Sequence, residues 1–187
     1  RLFSNRRTRA DRHEGSGDGM TRAINPHSTS KTFKVVARTE TDTAALGAAL
    51  AQHAKRGDII ALEGPLGSGK TVFARGFIQA LCGDSTVVPS PTFTLVQIYD
   101  APEFPLWHCD LYRLEDEEDA LEIGLEEAFA DAVTLIEWAD RLGRWLPHRR
   151  LSVAFAGEDR DESRRIVLDG DSDWRERLEG LTANAAT

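Results

Sequence analysis

Hydrophobic and polar positions change rhythm several times along this chain, and each rhythm predicts an element. Residues 33–37 (FKVVA) are β-prone and predict a strand. From Thr39 to Lys55, Leu46, Leu50 and Ala54 recur at helical spacing behind Thr and Asp capping candidates, so a helix is expected there, ended by Gly57. Residues 58–63 (DIIALE) form the short apolar run typical of a buried parallel strand. After a glycine-rich loop, Phe73, Phe77, Ile78 and Leu81 mark one face of a helix from Thr71 to Leu81, with Gly83 closing it.

Further along, Ser90-Pro91-Thr92 reads as a turn and Thr94 to Tyr99 as a strand. Pro102 and Pro105 bound another turn, and Leu106 to Tyr112 is a strand with a polar end. Glu115 to Phe129 is acidic and helical in pattern, Ala132 to Trp138 (AVTLIEW) is a buried strand, and Asp140 to Trp145 a helical turn. Leu151 to Ala156 and Arg164 to Leu168 read as a hairpin, and Trp174 to Leu181 as a short last helix. Strands and helices interleave throughout, so the expected class is α/β: a mixed, mostly parallel sheet flanked by helices. Residues 1–31 are polar and aperiodic and read as a disordered tail or an extended start. Residues 32–182 read as one domain, and 183–187 as a frayed end.

The loop between the second strand and second helix carries the most specific chemistry. Gly64, Gly69, Lys70 and Thr71 (GPLGSGKT) satisfy G-x-x-x-x-G-K-[ST], in the strand-to-helix setting that gives this motif its meaning. Gly67 and Gly69 let successive backbone N–H groups turn inward toward phosphate oxygens, and the following helix adds its positive end. Lys70 sets an ammonium against the outer phosphates, and the Thr71 hydroxyl is a hard oxygen donor for Mg²⁺. The chain is thus expected to take the P-loop NTPase fold.

Hydrolysis or transfer needs a further acid near the metal and a group that positions the nucleophile. Two strands end in a carboxylate, Asp110 after LWHC and Glu137 after AVTLI, and either suits the role. Thr92 lies where switch loops sit, although Ser-Pro-Thr is also ordinary turn chemistry. Trp138 reads as core or partner surface, and His108, two before Asp110 on the same strand face, as structural. Arg75 and Arg113 could act as arginine fingers, but surface salt bridging is the blander role.

Composition narrows the ligand and partners. The only asparagines are Asn5, Asn25 and Asn184, so the N-K-x-D motif of guanine-specific GTPases is absent, which favours adenine. Residues 1–32 hold seven Lys/Arg and three Asp/Glu, whereas the rest holds 16 and 28. An acidic body argues against broad contact with nucleic-acid phosphate, so any contact with RNA is expected to run through a protein partner. Cys82 and Cys109 form no CxxC pair, and no apolar run reaches the roughly 18 residues of a membrane helix. A cytoplasmic setting is expected.

The ordered segments GPLGSGKT, SPTFTLV, HCDLYRL and LIEW resemble the TsaE family, bacterial P-loop ATPases needed for the threonylcarbamoyladenosine modification at position 37 of tRNA. The resemblance covers about residues 33–157. It implies that Leu66, Gly67, Ser68, Gly69, Lys70 and Thr71 cradle the ATP phosphates, and that Thr71 and Glu137 hold Mg²⁺. It implies switch and Walker-B-like roles for Thr92 and Asp110, places Trp138 in a Glu-Trp pair, and brings the Thr39 to Thr43 segment near the base. It further implies work with TsaB-type and TsaD-type proteins, ATP hydrolysis resetting their complex. Phe93 stands where Tyr is common and Cys109 where Phe is common. A small-molecule kinase on the same fold is the alternative reading.

Overall fold

The computed structural model describes residues 32–156 and 163–184. The expected tail over 1–31 lies outside the described residues, as do 157–162 of the loop joining the last two strands and 185–187 of the expected frayed end.

In chain order the elements are β1 (Phe33–Ala37), α1 (Glu40–Ala51), β2 (Ile59–Glu63), α2 (Lys70–Cys82), β3 (Val96–Asp100), β4 (Pro105–Asp110), α3 (Asp119–Glu122), α4 (Leu125–Asp131), β5 (Val133–Glu137), a 3-10 turn (Ala139–Trp145), β6 (Leu151–Phe155), β7 (Arg164–Gly170) and α5 (Ser172–Asn184). The strands form one sheet in the order β1-β7-β6-β2-β5-β4-β3. The central four, β6, β2, β5 and β4, run parallel. β3 on one side and β7 with β1 on the other pair antiparallel.

The apolar run of β2 is explained by cover on both faces of the sheet. Ile60 and Leu62 join Leu50, Phe73, Phe77, Ile78 and Trp174 in a core beneath α1, α2 and α5. Ile59 and Ala61 point the other way and pack with Cys109, Leu111, Leu125, Ile136 and Leu142. Burial pushes the Cys109 thiol up to about 12, so it stays protonated and acts as a small apolar side chain.

Several elements depart from the sequence expectation. β4 ends at Asp110 rather than Tyr112, and α5 runs from Ser172 to Asn184, past the expected Trp174–Leu181 and into the expected frayed end; α1, the acidic stretch and β3 also depart. α1 opens with a capping box, Thr39 Oγ1 accepting from Asp42 N at 3.0 Å and Asp42 Oδ2 from Thr39 N at 3.0 Å. It stops at Ala51 rather than running to Lys55, because the chain tightens into i→i+3 bonds (His53 N to Leu50 O, Ala54 N to Ala51 O) and Asp58 Oδ2 accepts the Lys55 N–H at 2.7 Å. The acidic stretch from Glu115 to Phe129 is two short helices broken at Gly124, where φ is 80°. β3 begins at Val96, since Leu95 takes φ 63° and its N–H is spent on Pro91 O at 2.7 Å.

α1 and α2 cross at backbone contact. A Cβ on Gly76 would lie 2.1 Å from Ala44 O, a backbone atom that cannot swing aside. This crossing sets the start of α1, with Glu40, at the rim of the glycine-rich loop. Gly76→Ala should cost about 1–3 kcal/mol of stability through overpacking, read as a lower urea midpoint at unchanged m-value. A midpoint equal to wild type would show that the crossing has slack.

Candidate functional site

The carboxyl ends of parallel strands are where loops gather ligand groups in open α/β sheets. Here β2 delivers Gly64 to Gly69, β5 delivers Glu137 and Trp138, and β4 delivers Asp110 to Tyr112. The register puts Glu137 opposite Leu62 on one side and Asp110 on the other. Their shared cleft has a volume of about 310 Å³ and is lined by Glu40, Leu66 to Val72, Ser90, Thr92, Asp110, Tyr112, Glu137 and Trp138.

Gly69 caps α2 at φ 104°, a left-handed conformation that side chains resist, and so starts the helix directly under the loop. Lys70 Nζ donates to Gly64 O and Pro65 O, each at 2.8 Å, and lies 4.1 Å from the centre of the Trp138 ring. Burial lowers the Lys70 pKa below the ordinary lysine value, a shift opposed by the carboxylates of Glu137, Asp110 and Asp140. Trp138 has φ 59°, an uncommon conformation for a bulky residue, and packs against Tyr112 with ring centres 5.0 Å apart and planes tilted by 51°.

Two carboxylates organise the floor. Glu137, nearly fully buried, accepts from Thr71 Oγ1 at 2.9 Å on Oε2 and hydrogen-bonds His108 Nε2 at 2.9 Å through Oε1. Asp110 Oδ2 accepts from Thr92 Oγ1 at 2.6 Å and Ser90 Oγ at 3.0 Å, and its Oδ1 accepts from Tyr112 N at 3.0 Å. The turn after Ser90 is thereby tied to the end of β4, and Asp110 N adds a bond to Leu95 O at 3.0 Å.

The donor set suits a nucleotide with a hard cation. Ser68 Oγ is buried in the loop without a hydrogen-bond partner. Thr71 and Glu137 offer adjacent oxygens. Among the described residues no group of three or more His, Cys, Asp or Glu could hold a metal ion.

The family model described as "Threonylcarbamoyl adenosine biosynthesis protein TsaE" matches residues 37–166. The chain belongs to the TsaE family. Among relatives, the tRNA threonylcarbamoyladenosine biosynthesis protein TsaE of Rickettsia bellii is 42% identical over 120 residues, 64% of this chain and 83% of the relative. The TsaE of Bacillus subtilis is 43% identical over 124 residues, covering 65% and 77%. A crystal structure of Bacillus subtilis YdiB superposes with a TM-score of 0.68 at 33% identity, covering 83% of this chain and 97% of that one.

Every site residue expected from the resemblance to the TsaE family lines this one cleft. Ser90 and Tyr112 carry no site role in the sequence alone, although they lie within SPTFTLV and HCDLYRL. The Thr39 to Thr43 segment contributes Glu40 to the rim. Arg113 stacks its guanidinium on the exposed Phe93 ring at 4.4 Å, and neither it nor Arg75 lines the cleft. No helix among the described residues is long and apolar enough to cross a membrane.

Proposed function

We propose that this TsaE-family chain is a cytoplasmic, Mg²⁺-dependent ATPase that serves the formation of threonylcarbamoyladenosine in tRNA, working with TsaB-type and TsaD-type proteins. One observation carries the reading: the hydroxyl of the last P-loop residue, Thr71, is bonded to the strand acid Glu137 at 2.9 Å, directly beneath the phosphate cradle.

In this reading the backbone N–H groups from Gly67 to Thr71 bind the phosphates, with the N-terminal end of α2 behind them. Lys70 trades its two carbonyl acceptors for phosphate oxygens. Thr71 and Glu137 hold Mg²⁺, which when bound neutralises charge that builds on the phosphate oxygens during transfer. Asp110 keeps the Ser90 to Leu95 turn against the cleft through Ser90 and Thr92, so the position of that turn can report what the cleft contains. Tyr112 and Trp138 form an aromatic wall beside Lys70. RNA contact is left to the partners, as the acidic body suggests.

The reading is tested by measuring ATP binding and hydrolysis with purified chain, Mg²⁺ and the two partner proteins. Slow hydrolysis alone and a rise with partners are expected, and an absence of ATP binding at millimolar concentration sinks the proposal. Lys70→Ala should weaken ATP binding by about 2–3 kcal/mol, the scale of a hydrogen bond to a charged group, as measured by calorimetry. Unchanged affinity would mean that the cradle does not contact the phosphates.

A further inference from the structure

We propose that His108 is a positioning residue: it holds the Glu137 carboxylate in the orientation that receives Mg²⁺. The inference rests on the function proposed above. His108 lies on β4 opposite Leu135, one alternation short of the Asp110–Glu137 pair, so His108 and Glu137 share a face on adjacent strands. Its side chain is completely buried, and its Nε2 lies 2.9 Å from Glu137 Oε1.

A buried imidazole is commonly a satisfied core group. Among the described residues the only polar contact of its ring is with the acid, for Nδ1 has no hydrogen-bond partner there. A carboxylate can only accept, so Nε2 carries the proton of this hydrogen bond. A ring that served packing alone would gain nothing from this placement, since an apolar side chain would avoid the desolvation.

The two Glu137 oxygens have different donors. Oε2 receives the hydroxyl of Thr71, in the first turn of α2 beneath the glycine-rich loop. Oε1 receives His108, on β4, which is paired on both sides within the sheet. His108 is therefore the fixed support, and each oxygen keeps a lone pair for a cation. Partners one step behind a metal ligand orient it, and their loss weakens metal binding by roughly 10- to 100-fold.

The test compares wild type, His108→Leu and His108→Gln, in which the Gln amide can still donate to Oε1. For each, ADP affinity is measured in EDTA and then across a Mg²⁺ titration, beside the thermal midpoint, kcat and KM. If His108→Leu does not fold, His108→Asn replaces it, since its amide falls short of Oε1. The expected result is unchanged ADP affinity in EDTA, a half-saturating Mg²⁺ concentration raised about tenfold or more, and a fall in kcat rather than a rise in KM. His108→Gln should return the Mg²⁺ midpoint to within about threefold of wild type. A wild-type Mg²⁺ midpoint in folded His108→Leu overturns the inference. So does a parallel loss in EDTA, which marks a structural role, or failure of His108→Gln to rescue. Wild-type affinity that ignores Mg²⁺ overturns the proposed function itself, and this inference with it.

Discussion

Glu137→Ala is expected to slow ATP hydrolysis on the order of 10²- to 10³-fold, the scale of losing one preorganised transition-state contact. Nucleotide affinity in the absence of Mg²⁺ should stay within a few-fold of wild type, because in the proposed function backbone N–H groups and Lys70, not Glu137, hold the phosphates. The asymmetry follows from the site: Glu137 is hydrogen-bonded to the cradle through the Thr71 hydroxyl and acts on Lys70 only through its charge. Its removal leaves the carbonyl contacts of Lys70 intact but takes the acid from beside the Thr71 hydroxyl, where the proposed function sets Mg²⁺. Near-UV circular dichroism checks that the cleft persists, since Trp138 and Tyr112 pack against each other in its lining. A hydrolysis rate within threefold of wild type would remove Glu137 from the mechanism and leave Asp110 as the strand acid, the choice that the sequence alone leaves open.

Much of this site can be read from the sequence because its parts are local. The P-loop is contiguous, the capping box spans Thr39 to Asp42, and the apolar runs of β2 and β5 state that both faces are covered. What escapes the sequence is register. His108 and Glu137 are separated by 29 positions, and they meet because Asp110 pairs with Glu137 rather than with a residue one step away. A slip of one residue would turn His108 to the opposite face. Ser90 escapes for a related reason: a polar turn residue gains a role only when β4 brings Asp110 to it. The end of α1 and the break at Gly124 were missed because helical periodicity continues past both points, while local hydrogen bonding at Asp58 and the backbone at Gly124 decide otherwise.

The largest effect on stability is expected from a pair the sequence could not connect. Arg177 on α5 grips Asp58, just before β2, with both ends of its guanidinium: 2.6 Å to Oδ2 and 3.0 Å to Oδ1. The same group donates to His53 O at 2.7 Å and Asp173 Oδ2 at 2.8 Å, and stacks on the buried Trp174 ring at 3.7 Å. The side chains of Arg177 and Asp58 are 9% and 7% exposed, so water compensates little for the loss of either. Arg177→Ala should cost about 3–5 kcal/mol, because it strands a buried carboxylate whose remaining donor is the Lys55 N–H. Removing Asp58 in the same chain should recover part of that cost, as the stranded charge goes with it, and urea unfolding of both single variants and the double variant measures the coupling. Asp58 stands at the end of β2 opposite the P-loop, so nucleotide affinity of the folded variant should not change. A loss below about 1 kcal/mol would class the contact with surface ion pairs and show that Trp174 and Leu178 dock α5 without it.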